Sequence, residues 1–297
     1  MRLGLPRTHL AGVLLALGLA GACGRATDRP QAAAVSVTDD AGRVIRLAAP
    51  ARRIVSLLPS FTELLFAIGA GDRLVGRTTW CDWPPRVRAV PSVGEGLPPN
   101  VEAVAARRPD LVVLYRAAPN AAAARRLEAL GIPTLLLDLN RLSDLGPAAR
   151  RLGTLTGRSA AADSVARRLD SLAHAPAPPP RRSLAFVVWD NPPIVIGAGS
   201  YLDRLAALAG ARNVFHDIAA ASAQVSLETI AERDPDLVAI PSATGSVPEF
   251  TRRREWRAIR AVREGRVLVL RGSLFGRPGP RAPEAVQQLA RLLEGAR

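Results

Sequence analysis

Trp80, Tyr115 and Trp189 stand at the ends of apolar runs in a chain with only 4% aromatic residues. Flat rings at such places suit either the walls of a ligand cleft or plain core packing. Trp83 and Trp256 are read as packing residues. Two carboxylates, Glu102 and Glu228, occupy the same position in two related segments. Each falls in the first turn of an expected helix, where an acid favours the helix dipole. The cysteines are Cys23 and Cys81, too few for a disulfide framework. Cys81, beside Trp80 and Asp82, suits a small buried apolar residue better than a metal thiolate. The three histidines, His9, His174 and His216, form no metal-binding spacing. Neither Gly-x-Ser-x-Gly nor His-Glu-x-x-His occurs, and Gly197-Ala-Gly199 lacks the third glycine of a dinucleotide site. The chemistry on offer is capture rather than turnover, with no catalytic or metal residue expected.

The elements that must hold these residues follow from a repeat. Residues 101–114 (VEAVAARRPDLVVL) recur as 227–240 (LETIAERDPDLVAI), at an offset of 126 with seven of fourteen positions identical. Each copy predicts a short helix, a Pro-Asp turn and a buried strand. A period this long implies two similar lobes rather than a solenoid. Around the repeats, a hairpin is expected over 35–47 with Asp39-Asp40-Ala41-Gly42 at its turn. Strands are expected at 53–58, 74–76, 133–137, 183–189 and 266–270. Helices are expected at 62–68, capped by Thr62, and at 120–130, 201–209, 255–261 and 282–293. Alternating strands and helices make this an α/β fold with mostly parallel sheets. Residues 143–173 keep helical apolar spacing for close to 30 residues, about 45 Å at 1.5 Å per residue. They read as one long rigid helix joining the lobes, with the ligand cleft between them. The expected divisions are a signal peptide at 1–22, a flexible tether at 23–34, and an N-terminal lobe at 35–142. The connecting helix at 143–173, a Pro-rich connector at 174–182 and a C-terminal lobe at 183–297 complete the chain.

Arg2 and Arg7 precede the apolar run Leu10–Leu19, and Ala20-Gly21-Ala22 comes before Cys23. That is the pattern of an export signal rather than a membrane span. Ala20-Gly21-Ala22 suits ordinary cleavage, and Cys23 suits lipid attachment as in bacterial lipoproteins. The formal net charge is +14, with all 40 basic residues Arg. The arginines are scattered in pairs such as Arg107-Arg108 and Arg150-Arg151, with no aromatic interleaving. Together with export, this argues against a nucleic-acid partner.

Several stretches resemble the substrate-binding proteins of ABC importers for cobalamin, haem and ferric siderophores. They are Arg53-Ile-Val-Ser-Leu-Leu-Pro-Ser-Phe-Thr-Glu63, Trp80-Cys-Asp-Trp-Pro84, both Pro-Asp-Leu-Val blocks, residues 197–202 with 209–214, residues 261–267, and Arg277-Pro-Gly-Pro-Arg281. Together they span the chain from about residue 35. The Trp80-Cys-Asp-Trp-Pro and Arg-Pro-Gly-Pro-Arg segments look most like the cobalamin-binding branch. The resemblance implies two α/β lobes bridged by one rigid helix, a corrinoid ligand between them, and no cofactor of catalysis. It implies a periplasmic, lipid-anchored monomer that meets a permease with its ATPase. It places Ser60, Trp80, Tyr115, Trp189 and Arg277 at the ligand. It gives Glu102 and Glu228, one per lobe, the task of gripping permease arginines. Haem or a ferric siderophore is the alternative ligand, with Tyr115 or Tyr201 as candidate haem ligands. Gly96 and Ser222 stand where the cobalamin branch often has Trp, so the cleft is expected to be less aromatic than its relatives'.

Overall fold

The computed structural model describes residues 34–242 and 245–296. The expected signal peptide, Cys23 and the tether up to residue 33 lie outside the described residues. The chain opens with the expected hairpin, β1 (Val35–Thr38) against antiparallel β2 (Val44–Leu47). Asp39 closes its turn by accepting from the Ala41 and Arg43 amides at 3.0 and 2.9 Å. The same buried carboxylate accepts from the Leu136 amide at 3.2 Å, which ties the hairpin to the neighbouring sheet.

That sheet is wholly parallel, in the order β4 (Leu74–Arg77), β3 (Ile54–Ser56), β5 (Leu111–Tyr115), β6 (Thr134–Leu137). Helices α1 (Pro59–Ala67), α2 (Val101–Ala105) and α3 (Ala118–Ala129) connect its strands. Neighbouring strand residues face opposite cores: Ile54, Leu111 and Val113 one side, Val55, Val112 and Leu114 the other. Both faces being covered explains the unbroken apolar runs. Thr62 is not the cap of α1. Pro59 occupies the first turn, where its missing N–H costs nothing. Thr62 therefore lies inside the helix, with its hydroxyl 2.9 Å from Ser56 Oγ.

The second sheet runs β10 (Ser222–Gln224), β8 (Pro193–Ile196), β7 (Arg182–Asp190), β11 (Leu237–Ser242), β12 (Val267–Arg271), with β9 (Ala211–Asn213) beside the start of β7. β9, β11 and β12 are parallel to their neighbours, whereas β8 and β10 are antiparallel. Helices α6 (Tyr201–Leu208), α7 (Leu227–Glu232), α8 (Arg260–Arg263) and α9 (Ala282–Gly295) surround it. The single helix expected over 255–261 is instead a 3-10 turn, Glu255–Ala258, and the short α8, separated by extended Ile259.

The repeat is structural down to its turn. Arg108 and Asp234, each preceding the proline, both adopt left-handed backbone at φ 47° and 40°. The following aspartates do the same work in each lobe. Asp110 accepts from the Arg52 and Arg53 amides at 2.8 and 2.9 Å, just before β3. Asp236 accepts from the Ser183 amide at 2.8 Å, at the start of β7.

The single long connecting helix is corrected to two. α4 (Leu145–Thr156) and α5 (Ser159–His174) are separated by Gly157, in left-handed backbone at φ 62°. A glycine there ends the first helix without a Cβ clash. The two helices then double back on each other: Gly153 lies so close to Ala162 that an added Cβ would sit 2.2 Å from its methyl. Arg150 joins the pair through Asp170 at 2.7 Å. The strut is thus a helical hairpin, 12 and 16 residues in its arms. One apolar cluster runs from Ile54, Leu111 and Leu135 of the first sheet, through Leu152, Ala162 and Leu169 of the hairpin, to Phe186, Leu237 and Leu270 of the second.

Candidate functional site

A cavity of about 540 Å³ lies at the carboxyl ends of the first sheet's strands. This is where open parallel sheets expose loops and helix N-termini to a ligand. Leu57, Leu58 and Ser60 enter it from the β3–α1 junction, Tyr115 from the end of β5, and Asn120 from the first turn of α3. Thr78 and Trp80 follow β4, Leu139 and Asn140 follow β6, and the loop 276–278 brings Arg277. Four of the five expected ligand residues therefore meet here: Ser60, Trp80, Tyr115 and Arg277. Trp189 lies outside this lining. It is 59% exposed on the part of β7 that pairs with antiparallel β8, and its indole N–H donates to Asn191 O at 2.9 Å.

The walls are largely apolar and open. Trp80 is 58% exposed and Leu97 61%, which leaves apolar surface ready to be covered. Gly96 cannot be replaced by an aromatic: its φ is 86°, and a Cβ would come within 2.5 Å of Thr78 Cγ2. Leu97, one residue on, supplies the apolar surface instead. Ser222 begins the edge strand β10 and is exposed.

The polar groups form a chain. Tyr115 donates its hydroxyl to Asn140 Oδ1 at 2.7 Å, and Asn120 donates its side-chain amide to Tyr115 O at 2.8 Å. Asn120 is buried, and its Oδ1 has no hydrogen-bond partner among the described residues. Asn140 O accepts from the Tyr201 amide at 2.6 Å, so the first turn of α6 in the second lobe is tied to the cavity's floor.

Arg277 is paired with protein through both terminal nitrogens. One guanidinium nitrogen bonds Asp82, and the other donates to Trp80 O at 2.7 Å. Behind it, Glu63 of α1 approaches at 3.9 Å. Glu63 is only 4% exposed, and its Oε1 has no hydrogen bond among the described residues. Burial pushes its carboxyl up to about 7, while Arg281 and Arg277 pull it back. Arg281 stacks over Trp83 at 4.3 Å, so Trp83, 41% exposed, is a platform for a cation rather than a core ring. Trp256, in contrast, is buried against Phe250. The Tyr201 hydroxyl is buried too, and desolvation raises its pKa, which opposes a phenolate there.

Cys81 is a buried free thiol, 3.2 Å from the hydroxyls of Thr62 and Thr78. No group of metal-binding side chains occurs among the described residues. Glu102 and Glu228 are both exposed in the first turns of α2 and α7. Asn100 caps α2 by accepting from Ala103 N at 2.9 Å, and Ser226 caps α7 by accepting from Thr229 N at 3.1 Å. Glu102 pairs with Arg126 at 3.0 Å. Its own amide and the Ser226 hydroxyl hold the Glu228 carboxyl below its ordinary range.

Sequence reasoning missed Glu63, Asp82, Asn120 and Leu97. Glu63 and Asp82 sit inside motifs already singled out, but nothing in their spacing links them to residue 277. Asn120 follows Pro119 at the start of a helix, a place that ordinarily signals capping.

The cavity is thus largely apolar, with a short polar chain along its wall. The periplasmic binding protein family model matches residues 54–274, and the chain belongs to that family. A vitamin B12-binding protein of Pectobacterium carotovorum is 28% identical over 247 residues, covering 80% of this chain and 87% of the relative. An uncharacterized ABC transporter substrate-binding lipoprotein of Bacillus subtilis, YvrC, is 28% identical over 300 residues, with 94% of each chain covered. Among solved structures, a periplasmic haem-binding protein from Pseudomonas aeruginosa superposes with a TM-score of 0.68 at 27% identity. That match covers 83% of this chain and 94% of the other.

Proposed function

We propose that this protein captures cobalamin or a related corrinoid outside the cytoplasmic membrane and delivers it to the permease of an ABC importer. The observation that carries the reading is the open apolar cavity walled by Trp80, Tyr115 and Leu97. A corrin presents a broad apolar face rimmed by amides, and such a ligand needs flat walls and a few acceptors. Asn140 and Ser60 put polar side chains on the wall of the same cavity, within reach of a peripheral amide. The vitamin B12-binding relative supports the same ligand.

Haem is the second reading, favoured by the haem-binding structural neighbour. Tyr115 is the tyrosine at the cavity, whereas the Tyr201 hydroxyl is buried and resists ionisation. A ferric siderophore is the remaining ligand of the same class. The protein acts as a monomer by capture without turnover; an exported enzyme would require a catalytic constellation that the cavity wall does not supply. Export through residues 1–22 and lipid attachment at Cys23 put it in the periplasm on a membrane anchor, in line with the lipoprotein relative. Glu102 and Glu228 dock it to the permease, which works with its ATPase. The Glu102–Arg126 pair is exposed on both sides, so it is worth little and exchanges readily for a permease arginine.

The test is titration of the purified protein with cyanocobalamin, haem and a ferric siderophore, followed by visible absorption and calorimetry. Cyanocobalamin should bind with a submicromolar Kd, and Trp80→Ala should weaken it about tenfold, about 1.4 kcal/mol. Weaker-than-micromolar cobalamin binding beside tight haem binding would replace the first reading with the second.

A further inference from the structure

Among the described residues lining the cavity, Arg277 is the one cation and Glu95 the one anion. An arginine on a ligand wall ordinarily marks a site for carboxylate or phosphate. Here the guanidinium charge is already paired and both terminal nitrogens already donate to protein. Asp82 takes one nitrogen, Trp80 O takes the other, and Glu63 backs the group from α1 at 3.9 Å. The side chain is left 16% exposed. Arg281, the nearest second cation, is held by Glu284 at 3.1 Å and stacked on Trp83. The charged and titratable groups facing Glu63 are thus Arg277, Arg281, Asp82, Glu284 and Tyr201. The outcome is a cleft without free positive charge on a chain of net charge +14.

We propose that Asp82, backed by Glu63 in its charged form, sets ligand specificity by cancelling Arg277, so that the cleft accepts macrocycles with uncharged rims and rejects those carrying carboxylates. The inference rests on the ligand-cleft reading above and deepens it. A carboxylate entering the cavity meets Glu95 and an arginine whose charge is already paired with Asp82. An amide or ester rim carries no charge and meets no such repulsion. Specificity of this kind comes from an unfavourable contact with the wrong ligand rather than from an added favourable one.

Two matched pairs of probes test it: cyanocobalamin against its monocarboxylate, with one peripheral amide hydrolysed, and haem against its dimethyl ester. The wild-type protein should prefer the uncharged member of each pair it binds, by about tenfold. Asp82→Asn should lower or invert that preference by a further tenfold, through gained affinity for the carboxylate form. Glu63→Gln should move it in the same direction, and Asp82→Asn with Arg277→Gln should lose the gain. Thermal melts and circular dichroism confirm that each variant is folded. A wild-type preference for the carboxylate forms, or a ratio unchanged in folded Asp82→Asn, overturns the inference and leaves the proposed ligand standing. Failure of both corrinoids, with the ester preferred over haem and Asp82→Asn reversing it, overturns the corrinoid reading alone. Binding of none of the four overturns both.

Discussion

Glu63 is buried on α1 against two arginines that do not fully compensate it, and its folded-state chemistry sets a pH dependence. The carboxyl rises from 4.5 to about 7 chiefly because burial disfavours its charge. The folded protein holds this proton more tightly than the unfolded chain does. The stabilisation from Glu63 is therefore complete below about pH 4.5 and is lost as pH rises through about 7. Glu63→Gln should remove that slope. Between about pH 5 and about pH 8, wild-type stability should fall by on the order of 1–3 kcal/mol more than that of the variant. Denaturant titrations at several pH values check this, and parallel slopes for the two proteins would refute it. At this scale the sequence was partly readable. Position at the ends of apolar runs points to Trp80 and Tyr115, and wrongly to Trp189, whereas Ser60 and Arg277 come to the cleft only through the family resemblance. Asp82 and Glu63 were not linked to Arg277, because a contact across 195 residues leaves no local periodicity.

At the scale of elements, apolar periodicity names helices but does not say where they turn. The spacing over residues 143–173 persists through both arms of the α4–α5 hairpin, since each arm buries one stripe. Gly157 alone marks the break, and its φ of 62° gives the reason. Gly157→Ala should cost about 1 kcal/mol through left-handed backbone strain. In a protein of this size the melting temperature should drop by roughly 2–4 °C, with ligand affinity retained. A melting temperature at or above wild type would mean that the turn tolerates a side chain. The repeat was legible for a complementary reason. Its identities fall on residues with local roles in each lobe, the helix, the proline of the turn, and the aspartate that receives the first amides of β3 or β7. The antiparallel β8 and β10 were not foreseen, because strands of four and three residues are too short to set a period. Trp189 consequently sits on a hairpin beyond the parallel body of its sheet.

For the molecule as a whole, the repeat puts one exposed carboxylate in the same helical turn of each lobe. Two equivalent acids on two lobes suit a partner that bears matched positive groups, with docking governed by charge rather than by buried area. Glu102→Ala with Glu228→Ala should leave ligand titrations unchanged and cut uptake in a transport assay by at least about tenfold, and each single change should have a smaller effect. Uptake at wild-type level in the double variant would remove these residues from the docking surface. The scattered arginine surface and the cleft's cancelled cation are separate features: the net charge of +14 describes the exterior, not the cavity.

The apolar cluster threading both sheets and the helical hairpin has a further meaning. Each lobe has an interior of its own, around Val55, Val112 and Leu114 or around Val187, Val238 and Trp256, while Leu152, Ala162 and Leu169 pack into a cluster that both share. The lobes therefore share part of one interior rather than being joined by a bare spacer. A cavity opened beneath either sheet weakens the whole chain, and the ligand gains a cleft whose jaws are braced by the same side chains that make the protein fold.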